Sequence, residues 1–125
     1  MIYGVGIDLV EVERIEKIMA RWGDSFTSRV YSDSENEYCG RHIHPVQHYA
    51  VRFAAKEAFL KSLGLGMGRG ICLKHIEIVV DVLGRPIMNL NNSTREVLAK
   101  IGATNVHVSL THTKKYASAV IVIEQ

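Results

Sequence analysis

The pattern that most constrains this chain runs from Pro45 to about Leu63, where Ala50, Phe53, Ala54, Ala58 and Leu63 are among the apolar residues. Pro45 suits the first turn of a helix and Gly64 its stop, so one long helix is expected there. Every other periodic run is shorter. Residues 2–9 (IYGVGIDL) read as a strand feeding a helix that carries Val12, Ile15, Ile18, Met19 and Trp22. A short segment over 25–31 follows Asp24, and a further helix starts near residue 34, with Ser34 and Glu37 at capping-box spacing. Ile76, Ile78, Val80 and Val82, then Ile87, Met88 and Leu90, flank Gly84-Arg85-Pro86 as a hairpin. A helix over 92–101, a strand carrying Val106, Val108 and Leu110, a turn over 111–115 and an apolar strand over 116–123 complete the chain.

About five strands and four or five helices in mixed order give an α+β class, with a largely antiparallel sheet packed on helices. At 125 residues one domain with one core is expected. The apolar last strand makes self-association an expectation too.

Composition narrows the function classes. Hydrophobic residues at 47% and charged residues at 22% exclude disordered and coiled-coil classes. A net charge of +2 does not announce a nucleic-acid binder, so no nucleic-acid partner is expected. Cys39 and Cys72 read as thiols, too few for a disulfide scaffold and too far apart for a zinc knuckle. No apolar stretch approaches the ~18 residues of a membrane span, and no signal segment is evident, so a cytoplasmic protein without a membrane partner is expected.

Asp8 stands among Val5, Ile7, Leu9 and Val10, where a carboxylate needs a cation or hydrogen-bond donors to offset desolvation. A helix N-cap and a metal ligand explain it equally well. Phe53, Glu57 and Lys61 lie four apart on one helical stripe. Taken blind, Glu57 and Lys61 are most simply a surface pair, but the neighbouring Ala54 and Ala58 point to partial burial and hence to a site. Two carboxylates and a lysine suit phosphate chemistry, because hard oxygen ligands hold Mg²⁺ while the ammonium offsets phosphoryl charge. Gly64-Leu65-Gly66-Met67-Gly68-Arg69-Gly70 reads as a loop free to approach a phosphate, without the ending of a P-loop. His107, Ser109 and Thr111 share one face of a strand, and an exposed polar face is the simpler explanation of them. His44 and His48 have helical metal spacing, but Pro45 sets His44 outside the helix and argues against a zinc pair. Arg14, Lys17 and Arg21 form a basic stripe on the first helix, fit for solvent or for an acidic helical partner.

Two segments together are specific. Gly6-Ile7-Asp8-Leu9-Val10-Glu11-Val12-Glu13-Arg14-Ile15 and Arg52-Phe53-Ala54-Ala55-Lys56-Glu57-Ala58-Phe59-Leu60-Lys61 resemble the paired motifs of the holo-acyl-carrier-protein synthases, the small-chain group of 4′-phosphopantetheinyl transferases. Ser32-Asp33-Ser34-Glu35, Gly84-Arg85-Pro86 and the stretch from His107 through Thr111-His112 to Tyr116-Ala117 are similar to family positions as well. The chain departs from many relatives at Leu73-Lys74-His75-Ile76-Glu77, where they carry Trp first and Asp third.

The resemblance implies the 4′-phosphopantetheinyl transferase fold and transfer of the phosphopantetheine arm of coenzyme A to a serine of apo acyl carrier protein. Adenosine 3′,5′-bisphosphate is the other product, Mg²⁺ is required, and the reaction supports fatty acid biosynthesis. It implies Asp8 and Glu57 as metal ligands and, with Lys61, as the catalytic set. It also implies Lys61, His107 and Arg52 as coenzyme A contacts, Arg14 and Arg21 as the carrier-protein surface, and a homotrimer with active sites between subunits. A Mg²⁺-dependent nuclease, a non-catalytic nucleotide-binding module and a structural oligomerisation domain are the rivals. The last leaves Asp8 and Glu57 unexplained.

Overall fold

The computed structural model describes residues 1–64 and 70–125, so residues 65–69 of the expected glycine loop lie outside the described residues. The elements are β1 (Ile2–Glu11), α1 (Val12–Trp22), α2 (Asp24–Val30), α3 (Asp33–Gly40), α4 (Pro45–Ser62), a 3-10 turn (Leu73–His75), β2 (Ile76–Val80), β3 (Pro86–Leu90), α5 (Ser93–Lys100), β4 (Asn105–His112) and β5 (Tyr116–Glu124). β1, β5 and β4 form one antiparallel sheet in that order, and β2 and β3 form an antiparallel hairpin. The architecture is the expected α+β one.

α4 is central. It packs on β1 and β5 with one side and meets α1, α3 and β2 elsewhere. Twelve of its eighteen residues are buried, so it is apolar on most sides rather than along a single stripe. Its fit against β1 depends on glycine. A Cβ on Gly4 would stand 2.0 Å from the Ser62 carbonyl oxygen, and one on Gly6 would stand 1.8 Å from that of Ala58. Strand and helix backbones therefore meet with no side chain between them on the strand side.

Alternation along β1 then turns Gly4, Gly6, Asp8 and Val10 toward α4 and Val5, Ile7 and Leu9 away from it. Those three apolar side chains are 58%, 61% and 66% exposed, an outward apolar face on β1.

A buried ion pair ties the other side of α4 to its surroundings. Lys56 Nζ lies 2.7 Å from Glu35 Oε1 and also donates to the carbonyls of Leu73 (2.9 Å) and Ile76 (2.6 Å). Glu35 Oε2 accepts from the Ile78 backbone at 3.1 Å. Both side chains are wholly buried. Removing one partner of such a pair costs about 3–5 kcal/mol, because an uncompensated charge stays inside.

The same pair corrects the expected start of α3. The capping box is formed by Ser32 and Glu35, not by Ser34 and Glu37: Ser32 Oγ accepts from the Glu35 backbone and Glu35 Oε1 from the Ser32 backbone. Burial of Glu35 against Lys56 fixes the helix register, while Ser34 Oγ donates instead to Glu77 Oε2 at 2.7 Å.

Two strand ends also differ from expectation. β2 stops at Val80, because Asp81 Oδ1 accepts from the backbones of Leu83 and Arg85 and closes the turn, leaving Val82 fully exposed. β4 continues through Thr111 and His112, paired with Ser118 and Ala117, and the turn is confined to residues 113–115. Thr113 Oγ1 holds it by accepting from the backbones of Lys115 and Tyr116.

Candidate active site

The β1–α4 seam gathers the three residues expected to carry chemistry. Asp8 follows Gly6 on the inward face of β1, and Glu57 and Lys61 project from the part of α4 that the two glycines draw close. Lys61 Nζ donates to Asp8 Oδ1 at 2.9 Å and to the Ile7 carbonyl at 3.1 Å. Glu57 and Lys61 are one helical turn apart, yet the ammonium reaches across to β1 rather than back to Glu57. Among the described ion pairs Asp8, not Glu57, is the partner of Lys61. The helix-capping explanation of Asp8 fails: the residue preceding α1 is Glu11, and no side chain caps that helix.

Glu57 is held electrostatically at a distance from its usual behaviour. Burial raises its carboxyl pKa first and the negative charge of Asp8 raises it further, while Arg14 and Lys61 pull it back in part. Two carboxylates that repel each other and face two cations make a place for positive charge and for anionic substrate.

Of the expected coenzyme A contacts, Lys61 is at the seam, whereas Arg52 and His107 lie elsewhere. Arg52 is almost fully buried, its Nη1 donates to the His48 carbonyl at 3.3 Å, and its guanidinium stacks 4.3 Å from the centre of the Tyr38 ring. Its Nε is buried without a partner. Arg52, Arg41, Tyr38 and Ser34 line a cavity of about 380 Å³ with residues 78–81. His107 lines a neighbouring cavity with Arg85, Pro86 and Asp81, and its Nε2 contacts Glu124 Oε1. Asp81 lines both cavities. A buried arginine with an unused donor suits an oxyanion. Arg41 and Tyr38 were not legible as part of this arrangement, since only the packing of α3 on α4 brings them to Arg52.

On α1 the basic stripe is exposed as expected. Lys17 is engaged by Glu13 at 3.2 Å, whereas Arg14 lies 5.8 Å from the Phe53 ring and Arg21 5.0 Å from that of Trp22. Because Arg14 also acts on Glu57, the stripe begins beside the carboxylates.

A family profile described as the 4′-phosphopantetheinyl transferase superfamily matches residues 4–121. The chain belongs to this superfamily. Within it, the chain is 53% identical over 124 residues to the holo-[acyl-carrier-protein] synthase of Syntrophus aciditrophicus, covering 99% of this chain and 97% of that protein. The crystal structure of the Neisseria meningitidis holo-[acyl-carrier-protein] synthase matches with a TM-score of 0.93 at 32% identity, covering all of both chains. The Helicobacter pylori synthase, solved in complex with coenzyme A, matches with a TM-score of 0.85 at 30% identity over 96% of this chain and 99% of that one.

Proposed function

We propose that the chain is a holo-acyl-carrier-protein synthase, moving 4′-phosphopantetheine from coenzyme A to a serine of apo acyl carrier protein. The observation that carries this reading is the seam where Asp8, Glu57 and Lys61 converge, in a chain related over its whole length to such synthases. A relative captured with coenzyme A supports the choice of donor.

The donor set fits Mg²⁺. Asp8 and Glu57 offer hard carboxylate oxygens, and Mg²⁺ takes one or two carboxylates while keeping waters and substrate phosphates as its remaining ligands. Bound to Asp8 and Glu57, the ion would neutralise charge on the pyrophosphate of coenzyme A. Lys61 adds a second positive charge beside the bridging oxygen. The carrier serine oxygen attacks the phosphorus nearer the pantetheine, the bond from that phosphorus to the bridging oxygen breaks, and adenosine 3′,5′-bisphosphate departs. Glu57 accepts the serine proton directly or through a water.

Arg52, with Arg41 beside it, and His107 are assigned to the coenzyme A phosphates. Arg14 and Arg21 are assigned to the acidic carrier protein. We read residues 1–125 as one domain that works as a cytoplasmic homotrimer with active sites between subunits. In support, Val5, Ile7 and Leu9 face outward beside Val120 and Val122 of β5, and His107, Ser109 and Thr111 of β4 share that sheet face. No described helix is long and apolar enough to cross a membrane.

The test is chromatographic detection of adenosine 3′,5′-bisphosphate from coenzyme A, with Mg²⁺, in the presence and absence of an apo carrier. Release that requires carrier and metal supports the proposal; carrier-independent release, or none, overturns it.

A further inference from the structure

We propose that Lys61 is a displaceable counter-ion of Asp8: its ammonium occupies the solvent side of the carboxylate at Oδ1, where it competes with a divalent cation, and cation entry frees it for the substrate's phosphates. This rests on the reading of Asp8 and Glu57 as the cation site.

The geometry separates two kinds of lysine on one helix. Lys56 is wholly buried and has three acceptors, so it is fixed. Lys61 has two acceptors, and its side chain is 56% exposed, against 15% for Asp8. The ammonium thus approaches a sheltered carboxylate from the solvent side, and it can leave without opening the core. Ion pairs this exposed are weak, so a divalent cation with two carboxylates to hold displaces one cheaply.

Charge balance favours the exchange. Asp8 and Glu57 place two carboxylates at the seam against the single ammonium in contact, that of Lys61. A doubly charged ion matches the carboxylate pair, and the released ammonium remains tethered one helical turn from Glu57. Lys61 therefore opposes the cation in the free protein and assists the anionic substrate once the cation is in place.

The experiment is a titration of the protein with Mn²⁺ alone, without coenzyme A, followed by electron paramagnetic resonance of the free ion. Wild type, Lys61→Met, Arg14→Met and Asp8→Asn are compared. Lys61→Met is expected to bind Mn²⁺ ~5-fold tighter than wild type, the loss of a weak competing pair. Arg14→Met, which removes a positive charge near Glu57 without touching Asp8, is expected to gain less. A second titration with coenzyme A should show Lys61→Met binding it more weakly. Unchanged or weaker Mn²⁺ binding in Lys61→Met, or an equal gain in Arg14→Met, overturns the exchange while leaving the cation site standing. Wild-type Mn²⁺ affinity that Asp8→Asn leaves unchanged overturns the cation site itself.

Discussion

Gly6 sits so close to Ala58 that a Cβ on it would stand 1.8 Å from the Ala58 carbonyl oxygen. That separation is impossible for real atoms, and the obstacle is helix backbone rather than a side chain that could turn aside. Asp8 owes its place beside Lys61 to this contact, since any residue larger than glycine would lever β1 away from α4.

Gly6→Ala is therefore expected to destabilise the protein by more than the ~1–3 kcal/mol of ordinary overpacking, and to abolish transfer. Gly40→Ala is the contrast, because a Cβ at that last position of α3 meets nothing within 4 Å. It should be neutral or stabilise by up to ~1 kcal/mol. Urea denaturation of both variants checks the pair; similar stabilities would contradict the close approach.

The raised Glu57 carboxyl predicts how cation binding responds to acid. Glu57 must be ionised to hold a cation, so the affinity of the free protein for Mn²⁺ should fall on acidification at a pH above the range of an ordinary glutamate. Burial is the larger cause and Asp8 the next, so Asp8→Asn should bring the Glu57 pKa down but not all the way to normal. Side-chain carboxyl NMR of the two proteins measures it, and a Glu57 pKa that ignores Asp8 would count against the seam as described.

Acid stability has a separate source. His48 stacks with His42 at 3.7 Å between ring centres and meets His112 at 5.5 Å, with Tyr38 and Arg52 alongside. Burial first, then His42, Arg52 and His112, lower its pKa from 6.5 to about 4. Between those values the unfolded chain binds the proton and the folded one does not. This group's contribution is thus fully present above 6.5 and is lost as the pH falls toward about 4. His48→Phe should flatten the fall in urea midpoint across that window, and an unchanged slope would show that the cluster does not set it.

Reversal of Arg14 and Arg21 to Glu should raise KM for the carrier protein by an order of magnitude or so at low salt and flatten its salt dependence, with little change in KM for coenzyme A. The stripe is exposed and adjoins Glu57, so steady-state kinetics at two ionic strengths separates docking from chemistry.

Much of this was legible in the chain. The helix from Pro45, the hairpin and the last strand follow periodicity, turn residues and β-branched composition, all local signals. Asp8 and Glu57 stood out because charge inside apolar sequence demands compensation. The partner of Lys61 did not, since helical spacing suggests Glu57 and only the glycine seam brings Asp8 nearer. Glu35 and Lys56 look like ordinary surface residues until α3 folds over α4, and the capping register moved with them. The gathering of His42, His48 and His112 joins the turn before α4, α4 itself and the end of β4, which no local pattern encodes.

Metal-dependent transfer to a carrier protein at this seam is read from the intact mass of the carrier. An apo acyl carrier protein is incubated with coenzyme A, Mg²⁺ and wild-type protein, with and without EDTA, and again with Glu57→Gln. A gain of one phosphopantetheine with wild type, abolished by EDTA and strongly slowed in Glu57→Gln, is the result predicted. No gain from folded wild-type protein across several carriers, or a gain indifferent to EDTA and to Glu57→Gln, would contradict it.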